Sequence, residues 1–164
     1  MKEQLRDFLV RNLDFLPPEI VVIVVSAMPI LELRGGLPLA YLYYDFSILK
    51  SAGLSVVGNL FPIIPLLLLF QPISNWLMRF KWYEKMYNWL HQRTMKKSKN
   101  VERYGAIGLI LFTAIPFPTT GAYSASVAAA IFAIRFRYSL ISIGAGVVIA
   151  AFVVSLGLLS FSIF

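Results

Sequence analysis

Ile115-Pro116-Phe117-Pro118-Thr119-Thr120-Gly121 lies at the centre of Tyr104–Ile134, a run of 31 residues without one charge. As a straight helix that run would measure about 46 Å at about 1.5 Å per residue, against a hydrocarbon core of about 30 Å. Two prolines remove backbone donors, and two threonines and a glycine offer the chain other bonds, so the helix should break there. Each flank is then long enough for half a membrane. The economical reading is a re-entrant hairpin over 104–134 that enters and leaves on one side; the alternative is a single tilted, Pro-kinked span.

Ile20–Tyr44 follows the same grammar. Pro29 and Pro38 bracket Leu31-Glu32-Leu33-Arg34-Gly35-Gly36, a polar and flexible centre in an apolar segment, and 20–44 is a second candidate hairpin. Two further stretches need no such device. Residues 51–73 and 138–162 are uncharged and each exceeds the about 20 residues that cross a bilayer as a helix.

Composition agrees. The chain is 59% apolar and 14% charged, with a mean hydropathy of +0.74, whereas a soluble domain is about 45–50% apolar and about a quarter charged. Too little charge is present to clothe a water-soluble surface, which argues against a soluble enzyme, a disordered tail or a DNA-binding domain. The 164 residues suit one membrane domain, 1–164. Most of the basic residues behind the net charge of +7 fall between the spans, where they suit a loop facing anionic lipid rather than nucleic acid. With no cysteine, disulfides and thiolate metal sites are excluded.

Sliding the sequence on itself by 87 positions places Ala27-Met28-Pro29 on Ala114-Ile115-Pro116 and Lys50 on Arg137. Each half then reads hairpin, basic residue, span. One hairpin plus one span is an odd number of crossings, so the second half is expected upside down relative to the first. The fold class expected is therefore an all-α integral membrane protein built as an inverted repeat, a design in which broken helices meet near the midplane. Ten basic residues from Arg79 to Arg137 then share one side against Lys2, Arg6, Arg11 and Lys50 on the other. The positive-inside bias puts the central loop in the cytoplasm and both termini outside.

Residues 1–16 carry both signs of charge, with Leu5, Phe8, Leu9 and Leu13 at helical spacing, and read as an amphipathic surface helix rather than a cleaved signal. Trp76, Phe80, Tyr83, Tyr87 and Leu90 form a second apolar stripe among lysines within the basic segment 74–103, expected to lie flat at the interface.

Glu32 and Arg34 are the most informative pair, since a charge at the bilayer centre costs several kcal/mol unless paired or hydrated. They either satisfy one another and hold the turn, or act. Glu32 would then titrate, and Arg34 would grip a phosphate through its planar fork. Gly35 and Gly36 would make the turn or let backbone approach the ligand. In the second tip Pro116, Pro118, Thr119, Thr120, Gly121 and Tyr123 supply hydroxyls and a helix start whose free N–H groups favour an anion; N-capping and tight packing by Gly121, Ala122 and Ser124 is the structural alternative. Arg135 and Arg137 suit a membrane boundary and are secondary headgroup candidates. Asn59 is expected to hydrogen-bond a hairpin, and Gly53, Gly58, Gly144 and Gly146 to allow close helix contacts. His91, the single histidine, builds no metal site. No nucleophile–base pair, P-loop or dinucleotide fingerprint is present, so neither an enzyme nor a cofactor is expected.

Glu32-Leu33-Arg34-Gly35-Gly36-Leu37-Pro38 and Ala114-Ile115-Pro116-Phe117-Pro118-Thr119-Thr120-Gly121-Ala122-Tyr123-Ser124 resemble the small multidrug export protein family, a distant branch of the DedA/VTT membrane-protein superfamily. The resemblance covers nearly the whole chain. It departs at Thr119, where glycine is usual, and at Tyr123, where tryptophan is usual. It implies two re-entrant hairpins and a transport role. Relatives of the DedA type are associated with proton-dependent transport and with flipping of lipid-phosphate headgroups, using acidic residues in the first hairpin and arginine in the second. Here Glu32 and Arg34 share the first hairpin. The leading expectation is a multi-pass cell-membrane transporter of an anionic amphiphile such as a lipid phosphate, with membrane lipids and protons as partners and a homodimer as a plausible assembly. A proton-coupled drug exporter and a non-transporting membrane scaffold are the rivals.

Overall fold

A computed structural model describes residues 16–85, 88–89, 98–115, 121–131 and 134–162. The amphipathic helix expected over 1–16 lies outside these residues apart from Leu16, as do Tyr87, Leu90 and His91 of the basic segment and Pro116, Pro118, Thr119 and Thr120 of the second tip. Every regular element among the described residues is helical: α1 (Pro18–Ser26), α2 (Glu32–Pro38), a π turn (Leu39–Tyr43), α3 (Ile48–Leu60), α4 (Ile63–Leu77), α5 (Ser98–Ala114), α6 (Ala122–Ile131) and α7 (Phe136–Ser162). They fall into two compact units, Met1–Phe61 with Ala150–Phe164, and Pro62–Ile149.

In the first unit Pro18 starts α1 with its φ already helical and Glu19 stands in the first turn, where a negative charge suits the N-terminal dipole. The helix stops after nine residues. Pro29 biases Met28 away from helical backbone, and the N–H of Ala27 closes the end on the carbonyls of Ile23 and Val24 at 2.9 and 3.1 Å. Residues 27–31 make the turn, and α2 begins at Glu32. Pro38 lacks the N–H that would bond the Arg34 carbonyl, and its ring crowds that carbonyl. The helix loosens there into the π turn, closed by the Tyr44 N–H on the Leu39 carbonyl at 3.2 Å. Val21, Val25 and Leu39 form the apolar core, with Leu16, Leu31 and Tyr44 packed against it.

Ser47 caps α3, its hydroxyl accepting from the Lys50 N–H at 3.4 Å. α3 packs on both α1 and α2. Its buried face is Ser51, Ser55, Gly58 and Asn59, while Leu49, Val57 and Phe61 are exposed. A helix with small polar residues inside and large apolar ones outside is arranged for lipid rather than water. Two stretches, Ile48–Leu69 and Phe136–Ser160, are long and apolar enough to cross a membrane. In their most apolar 18-residue windows only 28% and 33% is buried, which leaves broad apolar faces of the kind that suit lipid. Both agree with the spans expected at 51–73 and 138–162.

The second unit holds α4, α5, α6 and most of α7, with α6 packed on α4 and α5. α5 begins at Ser98, inside the segment expected to be a basic surface stretch to 103, so that the helix carries Lys99, Glu102 and Arg103 before its apolar part.

Both units contain one contact in the same form. A Cβ added to Gly58 would lie 2.5 Å from the Ile23 carbonyl oxygen and 2.8 Å from the Ser26 Cβ. A Cβ added to Gly146 would lie 2.8 Å from the Ile110 carbonyl oxygen and 2.5 Å from the Thr113 Cβ. Ile23 and Ser26 stand 87 positions before Ile110 and Thr113, and Gly58 stands 88 before Gly146. Likewise, the Ser51 hydroxyl donates to the Phe46 carbonyl at 3.4 Å, and the Ser139 hydroxyl to the Ile134 carbonyl at 3.3 Å, again 88 positions apart.

Candidate functional site

Glu32 is the hinge of the first tip. Its φ is +48°, one of two positive values at non-glycine residues among those described, the other being Asp45. Its N–H donates to the Met28 carbonyl at 2.9 Å. A left-handed glutamate costs about 1–3 kcal/mol and persists only where its surroundings over-determine it. Here Val21, Val22, Val25, Leu33 and Leu37, all almost fully buried, fix the helices on either side. Arg34, half-buried, follows two residues on and feels the charge of Glu32. The tip therefore sets an anion and a cation two residues apart.

Gly35 and Gly36 have a different place from the one expected. Both lie inside α2, and no described glycine has a positive φ; the turn is made upstream, and its left-handed position falls to Glu32. Gly36 is buried and admits the Ser26 hydroxyl into the space a Cβ would fill, while a Cβ on Gly35 would meet the Leu31 side chain at 2.7 Å. Their work is close packing of α2 on α1 and on the turn.

The tip's feet are tied together. Lys50 Nζ, at the start of α3, donates to Glu19 Oε1, at the start of α1, at 2.7 Å. It also lies 3.8 Å from the centre of the Phe46 ring. The Lys50 hydrogen bond holds the Glu19 carboxyl below its ordinary value. Sequence reasoning gave Glu19 no role. A lone acid 31 positions from its lysine offers no spacing signal.

In the second unit Gly121 and Tyr123 are described, and Pro116–Thr120 are not. The Gly121 N–H donates to the Ser124 hydroxyl at 3.0 Å, so one donor at the start of α6 is taken by a cap, as the packing alternative expects. Tyr123 is half-buried in the first turn. Arg135 and Arg137 are exposed and flank the first residue of α7. Asn59 is buried on α3, with Gly58 in the close helix contact foreseen for it. Ser26 and Ser55, fully buried, went unnoticed; the recurrence of Ser51, Ser55 and Asn59 every four residues within an apolar span was the available signal. Among the described residues no His, Cys, Asp and Glu group could hold a metal.

Residues 32–153 match the model of the family described as "Putative small multi-drug export protein". The chain belongs to this family. No curated protein and no solved structure matches it. The small multi-drug export match opens on Glu32 itself and runs through α2, the polar face of α3 and most of α7, leaving α1 with Glu19 and Ser26 before it. Membership and the two lipid-facing helices agree on a membrane protein with an export or transport role.

Proposed function

We propose that the chain is a small membrane transporter that moves an anionic amphiphile such as a lipid phosphate, and that it is not an enzyme. The carrying observation is the tip of the first helix pair. Glu32 and Arg34 stand half-buried in a segment otherwise uncharged from Ile20 to Tyr44, with Glu32 held in strained backbone. Arg34 receives the phosphate through its guanidinium fork, and Glu32 exchanges a proton as the headgroup arrives and leaves. The lipid tail stays in the bilayer, which lets so small a chain work without enclosing its substrate.

A re-entrant hairpin places this tip at membrane depth, and two features support it. At about 1.5 Å per residue α1 is about 14 Å long and α2 with its π turn about 18 Å, each about half a bilayer core. The Glu19–Lys50 ion pair joins the start of the segment to its end, as a hairpin does and a single span cannot. The matched contacts of Gly58 and Gly146 support the repeat, whose second copy would be inverted. The central loop is then cytoplasmic, and membrane lipids, protons and a second copy of the chain are the partners.

The test is movement of fluorescent polyprenyl phosphate and phospholipid in proteoliposomes over a pH series. Arg34→Ala should abolish movement, and Glu32→Gln should flatten its pH dependence. Unchanged movement in both variants would sink the assignment. The family description favours a second reading, proton-coupled export of cationic drugs. Drug efflux that survives Arg34→Ala but not Glu32→Gln, from vesicles that move no lipid, would establish that reading instead.

A further inference from the structure

Ser26, Ser55 and Asn59 are each at least nine-tenths buried, and the Ser26 Oγ, Ser55 Oγ and Asn59 Oδ1 atoms make no hydrogen bond. They lie together. Ser55 and Asn59 are one turn apart on the face of α3 that packs against α1 and α2, and Ser26 meets α3 at Gly58, between them. Gly36 of α2 closes the other side of Ser26. Three buried oxygens without a partner at one helix contact would cost about 1–3 kcal/mol each if packing were their only purpose.

The second unit supplies a control. The residues 88 positions on from Ser55 and Asn59 are Ile143 and Val147, fully buried and apolar. Thr113, opposite Gly146 as Ser26 is opposite Gly58, spends its hydroxyl on the Leu109 carbonyl at 2.7 Å. The helix contact is therefore made without free oxygens where nothing else is asked of it. In the first unit the same place holds oxygens with lone pairs to offer.

All three atoms can act as acceptors, and Ser26 is the last residue of α1, where the helix dipole presents partial negative charge. Oxygen donors at a helix C-terminus suit a hard cation. All three are neutral side chains, too weak a set to strip water from a divalent ion, which calls for carboxylates. We propose that Ser26, Ser55 and Asn59 form a binding site for a small monovalent cation of the sodium class, bridging α1 to α3. This site is independent of the headgroup reading at Arg34, since it predicts cation binding whether or not lipid moves.

The experiment uses the purified full chain in detergent micelles, with NaCl replaced by choline chloride at constant ionic strength. Thermal unfolding and equilibrium binding of radioactive sodium are read together. Wild type should bind sodium saturably, and its Tm should climb with the logarithm of sodium concentration as a ligand selective for the folded state requires. Asn59→Val installs the residue found at the matching place in the second unit; it should remain folded and lose both responses. Ser55→Ala should weaken both, and Ser142→Ala in the second unit should keep them. A wild type that binds no sodium, a Tm that responds equally to sodium and choline, or full sodium binding in folded Asn59→Val would each overturn the site.

Discussion

α1 with α3 in the first unit and α5 with α7 in the second are built around one glycine contact, yet they differ in what surrounds it. Gly58 lies against Ile23 and Ser26, and Gly146 against Ile110 and Thr113. Around Gly58 the chain places Ser55 and Asn59; around Gly146 it places Ile143 and Val147. The first tip carries Glu32 and Arg34, whereas 114–124 is uncharged. The foot of α1 carries Glu19 bound to Lys50, but Ala106 stands 87 positions on from Glu19, and Tyr138 stands in the place of Lys50 in the 88-position register of α3 and α7. What recurs is the close backbone approach that sets helix geometry; what differs is the charge at the tip and the polarity beside the glycine.

The largest effect expected concerns sidedness. The chain has no cysteine, so single cysteines report without background. Pro17→Cys and Ser47→Cys flank the first helix pair, and Ser98→Cys and Arg135→Cys flank the second. In the repeat, members of a pair react with an impermeant maleimide from one side of the membrane, and the two pairs react from opposite sides. Labelling of Pro17→Cys and Ser47→Cys from opposite sides would turn the first hairpin into a full span and end the comparison. The same side for all four would keep the hairpins and remove the inversion.

Next come the glycines themselves. Gly58→Ala and Gly146→Ala each push a Cβ to within 2.8 Å of a backbone carbonyl, and overpacking of this kind costs about 1–3 kcal/mol. The two losses should be alike in detergent-based unfolding. Gly53→Ala and Gly144→Ala, which have open space around the added carbon, should be neutral or slightly stabilising, since alanine is the better helix former. A marked loss at Gly58 with none at Gly146 would show that the two contacts are not the same device.

Much of this was legible in sequence, because proline and uncharged length are local signals. Pro29 and Pro38 mark the first broken segment, and the spans at 51–73 and 138–162 needed only counting. The tip was misplaced because Gly35-Gly36 looked like a turn. Inside α2 these glycines serve instead to let Ser26 and Leu31 approach, and no local rule assigns the left-handed position to a glutamate. An offset of 87 is visible through Ala27-Pro29, but Phe46, Ser51 and Gly58 match at 88, so one residue enters after the tip and Lys50 falls on Tyr138 rather than on Arg137. A single fixed offset therefore hides the glycine pair. The polar cluster was illegible for another reason: Ser26 meets Gly58 across 32 positions, and only packing shows that Ser55 and Asn59 face it.

The smallest effect tests the Glu19–Lys50 ion pair of the first unit. Lys50 holds the Glu19 carboxyl below its ordinary value of 4.5, first by their hydrogen bond and then by its charge. A carboxyl depressed in the folded state stabilises the fold above its unfolded value, and the contribution is lost as pH falls through the folded value. Wild type should therefore lose a little thermal stability on acidification below about pH 4.5 that Lys50→Met does not lose, the variant being the less stable of the two at neutral pH. Because both side chains are exposed, salt should shrink the difference. The pair's larger consequence is geometric, since it fastens the entrance of α1 to the entrance of α3. Lys50→Met should accordingly raise hydrogen exchange at residues 19–20 and 47–50 more than it shifts the melting curve, and equal exchange in both proteins would show that packing by Val21, Val25 and Leu39 holds the feet together unaided.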